Sequence, residues 1–377
     1  MYFLQLIRHF ITFYLPLFRI YALFFIRRWD HGLAVWKYLL SLHFVTLTHY
    51  DQPMITATGF DELKDTVRYL EEVPFDVTRK NLYTADELYE GFCPDDEESF
   101  QNCFDNKVYQ LYKTTGRHAQ IVNEMLARTL HDHCIHTALA RFFAEHNPHR
   151  CVGIMGGHNL LRTDKRFREI AALSKRLTEL GFVMLSGGGP GAMEATHLGA
   201  WMAGRPKREL DEALETLSAI PSFKDKGWLS SAFNIISRYP RRKKYVSLGI
   251  PTWLYGHEPS TPFATHIAKF FENSLREDNI LTLAFGGIIY APGSAGTLQE
   301  IFQEAVQDHY LSFGFASPMV FLGKQFWTEE IPVYPLLVHL METGKYKNLL
   351  LSLSDDINEV VNIIEQFSQR DAALAYQ

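Results

Sequence analysis

Residues 182–204 read FVMLSGGGPGAMEATHLGAWMAG, which is an apolar strand pattern, a glycine-rich turn and a helix pattern in direct succession. The apolar run ends at Ser186, and glycine occupies four of the five positions from 187 to 191. Backbone N–H groups in such a turn are not covered by side chains, and the following helix directs its positive dipole end at the same place. The segment therefore predicts a strand–turn–helix unit that suits a phosphate or another anion.

The number of glycines in this turn separates two interpretations. A tight turn that needs a positive φ angle would be served by one glycine, whereas four favour the close approach of a ligand. The spacing is neither the GxGxxG of dinucleotide folds nor a Walker loop, because no Lys-Ser/Thr pair follows. We therefore interpret Gly187, Gly188, Gly189 and Gly191 as candidate ligand-binding residues.

Strand and helix patterns alternate through residues 151–345. Short apolar runs predict strands in CVGIMGG, VSLGIPTWL, ILTLAFGGIIYAPGSAG and PMVFLG. Helix patterns appear in TDKRFREIAALSKRLTELG, TLQEIFQEAVQDHYL and IPVYPLLVHLMETG. This alternation predicts an α/β fold with a doubly wound parallel sheet. Ligands of such sheets bind outside the carboxyl ends of the strands, where the glycine turns fall.

A second glycine turn, PGSAGT, runs from Pro292 to Thr297 and again lies between an apolar strand and a helix. The sequence TLQE, from Thr297 to Glu300, fits a capping box in which Glu300 returns a hydrogen bond to the N-cap N–H. Alternatively, Glu300 is displayed beside the anion site as a carboxylate that orients a water or a sugar hydroxyl. The spacing leaves both interpretations open, and one residue could do both.

Arg276 lies between the two turns, sixteen positions before Pro292, and is followed by Glu277 and Asp278. One interpretation is a surface salt-bridge cluster, which would contribute little energy. In the other, Arg276 reaches the crevice of the glycine turns and contacts a phosphate or a base. The residues alone do not separate the two.

Residues 1–53 differ from the rest of the chain, with five basic side chains against two acidic ones and many large apolar residues. Pro16 and Arg19 interrupt the apolar run, and the stretch from Ile20 to Ile26 is far below the ~20 residues of a spanning helix. Three interpretations stay open: a buried or interfacial helix, a membrane anchor, or a start codon upstream of the natural one at Met54. A membrane-associated sensor would follow from the second.

Residues 54–149 carry helical patterns and predict a mostly helical region ahead of the alternating part, which runs from 150 to 377. His131, His133 and His136 fall in one of these helix patterns. No acidic third ligand follows at a matching spacing, so we expect no metal site there.

The composition bounds the function. A chain of 377 residues with 47% apolar and 21% charged residues has room for about two folded domains. Its 37 basic and 43 acidic side chains give a net charge of -6, which argues against binding to nucleic acid. The four cysteines show no CxxC spacing, so a reducing compartment, the cytoplasm, is expected.

The combination of SGGGPGAMEA, REDN and PGSAGTLQE resembles the LOG (Lonely Guy) family of nucleotide 5′-monophosphate phosphoribohydrolases, especially its bacterial nucleotide nucleosidase branch. That family has a Rossmann-like, lysine-decarboxylase-like fold. The likeness covers roughly residues 150–366. Two departures stand out, since Ser294 replaces the second glycine of a PGG triplet and Gln299 replaces a frequent glutamate.

The resemblance implies hydrolysis of the N-glycosidic bond of a nucleoside monophosphate to free base and ribose 5-phosphate, without a cofactor or a metal. It implies that Arg276 and Glu300 are catalytic. The implied substrate-binding positions are those matching the two loops: Gly187, Gly188, Gly189, Gly191, Met193, Gly293, Ser294, Gly296 and Thr297. A homodimer or higher homo-oligomer is also implied. Because molybdenum-cofactor carrier proteins are similar in fold and glycine loops, a non-catalytic nucleotide or cofactor binder is the alternative.

Overall fold

The computed structural model describes residues 57–119 and 121–374. The apolar segment 1–53, for which the sequence left three interpretations, lies outside the described residues. From Tyr69 onward the chain forms one compact unit. In the described part of the chain, every helix is too short or too polar to cross a lipid bilayer.

A seven-stranded parallel sheet forms the centre of this unit. Its strand order is β4-β3-β2-β1-β5-β6-β7, and every neighbouring pair is parallel. The chain therefore builds outward from β1 to one edge and then returns to build the other half from β5, as the doubly wound prediction requires. The strands are β1 (Cys151–Met155), β2 (Val183–Ser186), β3 (Ser247–Gly249), β4 (His266–Ile267), β5 (Ile288–Tyr290), β6 (Pro318–Leu322) and β7 (Leu350–Ser354).

Twelve α-helices accompany the sheet in the described residues. Those before β1 are α1 (Ala57–Glu72), α2 (Ala85–Leu88), α3 (Phe104–Thr115) and α4 (Val122–Glu145). Those after it are α5 (Lys165–Glu179), α6 (Ala192–Trp201), α7 (Lys207–Ser218), α8 (Trp228–Arg238), α9 (Asn273–Thr282), α10 (Ala295–Tyr310), α11 (Val333–Glu342) and α12 (Ile357–Leu374).

Alternate strand residues enter two separate cores, one on each face of the sheet. Ile154 and Met184 belong to the core that contains α5, α6, α7, α8 and α12. Their neighbours Met155 and Leu185 belong to the other core, which contains side chains of α3, α4, α9 and α10. Helices α2, α3 and α4 therefore cover one face of the sheet and share its core.

The strand prediction for ILTLAFGGIIYA was too long. Ile280 to Thr282 form the last turn of α9, and only Ile288–Tyr290 form a strand. Ile280 and Leu281 are buried on the helix face, and a short buried apolar run has no period that separates helix from strand. The turn at Gly286 and Gly287 marks the change, with Gly287 at a φ of 119°.

Candidate active site

The first glycine turn leaves β2 and is buried along its whole length, from Ser186 to Gly191. Gly188 and Gly191 have φ angles of 71° and 69°, which glycine adopts without strain. The Ser186 hydroxyl accepts the N–H of Gly188 at 3.1 Å, and the carbonyl of Gly188 accepts the N–H of Thr261 at 2.8 Å. The turn is thus held rigidly by the protein's own hydrogen bonds.

The protein's own atoms also fill the space beside these glycines. A methyl group at Gly187 would collide with the guanidinium of Arg276, and one at Gly189 would lie 2.8 Å from the methyl carbon of Met193. At Gly191 it would lie 2.6 Å from the carbonyl oxygen of His158. The first turn is therefore a close-packed platform covered by the side chains of Arg276 and Met193.

The second glycine turn is open to solvent. Ser294, Ala295 and Gly296 are exposed, and a methyl group at Gly296 would meet no atom within 4 Å. Helix α10 begins at Ala295 with Ser294 as its N-cap, and no side chain caps it. The first N–H groups of a helix have no partner within it, so this turn presents donors and a positive dipole end to the outside.

The segment after β1 joins the two turns. The N–H of Gly157 donates to the carbonyl of Pro292 at 3.0 Å, and the carbonyl of Gly157 accepts the N–H of Ala192 at 3.1 Å. The start of α6 and the turn before α10 therefore lie side by side at the carboxyl edge of the sheet. The sequence showed this glycine pair at the end of CVGIMGG, but its spacing gave no reason to place it in the site.

Arg276 and Glu300 meet at this edge. Their nearest side-chain atoms, Nη1 and Oε1, are 3.9 Å apart, and each side chain is 13% exposed. Nε of Arg276 donates to the carbonyl of Ile250 at 3.0 Å, which fixes the guanidinium on the segment that follows β3. The structure thus brings together the two residues that the resemblance implies to be catalytic.

The alternative for Glu300, a capping box with Thr297, is wrong. Helix α10 begins two residues before Thr297, so both residues lie inside the helix and neither caps it. The Thr297 hydroxyl instead closes on Gly293, where a methyl group would collide with it. Glu300 has no capping role and is available to the crevice.

The alternative for Arg276, a surface cluster with the acids that follow it, is also wrong. Glu277 accepts hydrogen bonds from the amides of Asn273 at 2.6 Å and Gln299 at 2.7 Å. Asp278 lies within 3.4 Å of the amide of Gln303. The contacts to Gln299 and Gln303 link α9 to α10, and the guanidinium of Arg276 is left facing Glu300.

Burial raises the pKa of Glu300 from 4.5 to about 7, and the nearby carboxylate of Glu277 acts in the same direction. The Arg276 guanidinium lowers the pKa but does not outweigh burial. Glu300 can therefore exchange a proton near neutral pH, which suits a group that takes a proton from water.

A second carboxylate lies on the other side of the first turn, and the sequence did not reveal it. Oε1 of Glu258 is 3.7 Å from Nε2 of His158, and its side chain is 16% exposed. A methyl group at Gly189 would lie 3.8 Å from Oε2 of the same residue. Glu258 follows β3 in a loop without a recognisable motif, so only the fold shows that it borders the site.

No metal site is found among the described residues. His131 is buried and bonded to other side chains, whereas His133 and His136 are exposed on α4.

The strand order reverses beside β1, and both glycine turns follow the carboxyl ends of their strands. The fold is Rossmann-like.

No protein-family model matches the chain, and no curated protein matches it. Two solved structures are similar to part of the chain. The molybdenum cofactor binding protein from the phototrophic bacterium Rippkaea orientalis is 14% identical with a TM-score of 0.37, over 57% of this chain and 95% of that one. TM1055, a structural genomics target, is 19% identical with a TM-score of 0.38, over 57% and 98%.

Proposed function

We propose that the protein hydrolyses the N-glycosidic bond of a nucleoside 5′-monophosphate, giving free base and ribose 5-phosphate. The observation that carries this proposal is the pairing of the Arg276 guanidinium with the Glu300 carboxyl, 3.9 Å apart, beside an uncapped helix N-terminus. The LOG-type motifs in the sequence indicate this reaction, and the guanidinium and the carboxyl supply the charged groups that it needs.

The phosphate binds at the second turn. The exposed segment from Ser294 to Gly296 offers free N–H groups and the dipole of a sixteen-residue helix. Arg276 lies beside the same helix and adds a positive charge on the crevice side. Fixing the phosphate also fixes the sugar, so binding energy remote from the reacting bond is used to position the anomeric carbon.

Glu300 acts at the anomeric carbon. As the bond from C1′ to the base nitrogen breaks, positive charge develops on the ribose, as in other glycoside cleavages. The carboxylate of Glu300 stabilises this charge and takes a proton from the attacking water, whose oxygen forms the new bond to C1′. The base nitrogen keeps the bonding electron pair and takes a proton from solvent water, and Glu300 returns its proton to solvent before the next turnover. A pKa of about 7 allows Glu300 to take up and release the proton in each turnover.

The decisive test is base release from purified protein. AMP, GMP, CMP and UMP, and the matching nucleosides, are incubated with the enzyme and the products are separated by chromatography. We expect base release from at least one monophosphate and none from its nucleoside, because the nucleoside has no phosphate for the second turn.

The variants Glu300→Gln and Glu304→Gln form a matched pair, since both change a carboxyl on α10, one turn apart. We expect Glu300→Gln to lower kcat by about 10³-fold or more, and Glu304→Gln to stay within a few-fold of the wild type. Nucleotide binding without turnover in the wild type would instead favour a carrier of nucleotides or of the molybdenum cofactor.

Two further proposals come from the sequence. The first, a homodimer or a higher homo-oligomer that works without a cofactor, comes from the resemblance, and the second, a location in the cytoplasm, comes from the cysteine pattern. Light scattering after gel filtration measures the first, and cell fractionation of the full-length chain beside a chain that starts at Met54 measures the second.

A further inference from the structure

We propose that Asp132 is a positioning residue for Arg276. Its carboxylate lies on α4, in the helical layer formed by α2, α3 and α4; it caps helix α9 and so sets the guanidinium against Glu300. The inference rests on the proposed function, in which Arg276 acts on the substrate. It assigns a role in that site to the helical region before residue 150.

The cap itself is formed by two hydrogen bonds. Asp132 lies in the middle of α4 and is 3% exposed. Its Oδ1 accepts the N–H of Phe271 at 3.0 Å, and its Oδ2 accepts the N–H of Glu272 at 2.8 Å. Glu272 is the N-cap of α9, and its own side chain makes no capping hydrogen bond. The start of α9 is thus capped by a carboxylate 140 residues away in the sequence, and the negative charge suits the helix dipole.

The capped turn is the one that carries Arg276. The carbonyl of Glu272 accepts the N–H of Arg276 at 3.3 Å, so the two residues belong to the same helical turn. The side chain of Arg276 is then fixed at its other end by the carbonyl of Ile250. A shift at the start of α9 therefore moves the guanidinium relative to Glu300, and a misplacement of about 1 Å in such a site can cost about 10²-fold in rate.

His131 holds Asp132 in place. Its Nδ1 is 3.0 Å from Oδ1 of Asp132, and its Nε2 is 2.9 Å from the hydroxyl of Tyr83. The ring packs edge-on against Phe271 with centroids 5.0 Å apart. Burial lowers the pKa of His131 and so favours the neutral ring. Because a carboxylate can only accept, Nδ1 donates to Asp132, and Nε2 of the neutral ring accepts from the Tyr83 hydroxyl. The chain Tyr83–His131–Asp132 therefore aims the carboxylate at α9.

A purely structural role would apply equally to the ion pair of Asp105 and Lys269, which provides the matched control. Asp105 lies on α3 in the same helical layer and is also 3% exposed. It accepts hydrogen bonds from Nζ of Lys269 at 2.8 Å and from the indole of Trp253 at 2.9 Å. Asp105 therefore links α3 to the segments that follow β3 and β4 through a buried carboxylate, but none of its hydrogen bonds goes to α9.

The experiment compares full-length Asp132→Asn and Asp105→Asn for melting temperature, kcat and KM with the best monophosphate. The asparagine keeps one acceptor and replaces the other by a donor that faces an N–H group, so one cap bond is lost. We expect both variants to lower the melting temperature, and only Asp132→Asn to lower kcat, by about 10- to 100-fold, with KM within about threefold.

A double-mutant cycle tests whether the effect passes through Arg276. If it does, Asp132→Asn changes kcat by less than about twofold in an Arg276→Gln background. The inference is overturned if Asp132→Asn leaves kcat unchanged, if Asp105→Asn lowers kcat equally, or if the effect persists in full without Arg276.

The proposed function and this inference fail in different ways. A wild type that binds one of the four monophosphates and releases base from none of them refutes the nucleosidase, and the positioning role is then read from the affinity for the monophosphate that binds. It stands if Asp132→Asn weakens binding about tenfold and Asp105→Asn does not, and it falls if the two variants bind alike. A wild type that neither releases base from nor binds any of the four monophosphates refutes both.

Discussion

The two glycine turns resemble each other in sequence and differ in structure. The first is buried from Ser186 to Gly191, and its glycines are crowded by the protein's own atoms. The second is exposed from Ser294 to Gly296, and the space beside Gly296 is empty. A glycine-rich turn after a strand can thus serve close packing or an open anion site, and composition does not separate the two. The first turn packs against the Arg276 guanidinium, and the second leaves open space beside Gly296.

Among the substitutions in the first turn, we expect Gly191→Ala to cause the largest loss in the free energy of unfolding. Gly191 combines a φ of 69° with a ψ of -128°, a conformation that costs other residues about 1–3 kcal/mol. The added methyl group would also lie 2.6 Å from the carbonyl oxygen of His158, and overpacking of this kind costs about 1–3 kcal/mol. We expect the free energy of unfolding to fall by about 3–5 kcal/mol, measured by urea denaturation.

Gly116→Ala is the control for this prediction. Gly116 also has a positive φ, 78°, but a methyl group there would meet nothing within 4 Å. Its substitution therefore costs the conformational strain alone, about 1–2 kcal/mol. Equal losses for the two variants would mean that packing in the first turn contributes nothing, contrary to the comparison.

Gly187→Ala and Gly296→Ala compare the two turns by kinetics. At position 187 the methyl group collides with the Arg276 guanidinium, so we expect kcat to fall by about 10²-fold. At position 296 it enters the open space proposed for the phosphate, so we expect KM to rise by about tenfold with kcat nearly kept. Gly296→Ala should not destabilise the fold, because alanine is favoured in a helix. A rise in KM for Gly187→Ala with no change in kcat would contradict the assignment of the first turn to Arg276.

The sequence predicted features that lie within one strand–turn–helix unit, and it missed side chains that other parts of the chain bring to the site. Both glycine turns stand in a local pattern, whereas the residues left the role of Arg276 open and only the resemblance singled it out. Glu258 and Asp132 were not found, because a loop acid and a helix acid gain their roles only when the sheet places them at the site. The capping interpretation of Glu300 depended on where α10 begins. The helix begins two residues before Thr297, so Thr297 is not its N-cap and the capping box does not form.

The pH dependence of turnover sharpens the role of the second turn. Burial raises the pKa of Glu300 to about 7, and only the ionised form can stabilise positive charge on the ribose. We expect kcat/KM to rise with pH, about tenfold per unit on the acid side, and to level off above about 7. Glu277→Gln should move this inflection to lower pH, since the Glu277 carboxylate raises the pKa of Glu300. A profile that falls above pH 7 would make Glu300 a general acid instead.

The helices behind the two turns also differ in how they hold their buried acids. On α6, Glu194 is paired with Arg162, and both side chains are 1% exposed. On α10, Glu304 and Asp308 each accept one hydrogen bond from Ser317, at 2.7 Å and 3.0 Å. Their other oxygens, Oε2 and Oδ2, have no hydrogen-bond partner among the described residues. Helix α6 thus neutralises Glu194 with a cation, whereas α10 leaves Glu304 and Asp308 without one.

Burial raises the pKa of Glu304 to about 7 and of Asp308 to about 8, well above the values of an unfolded chain. The native state then holds these protons more tightly, so their contribution to stability is complete below about pH 4 and is lost as the pH rises through 7 and 8. We expect the melting temperature to fall between pH 6 and pH 9, and Glu304→Gln with Asp308→Asn to reduce that fall by roughly 2–4 °C, about 1 kcal/mol. Glu194→Gln, in contrast, should lower the melting temperature by a similar amount at both pH values, because it leaves the buried Arg162 guanidinium without its carboxylate partner. If the double variant loses as much stability as the wild type over this range, the acids on α10 are not held neutral by burial.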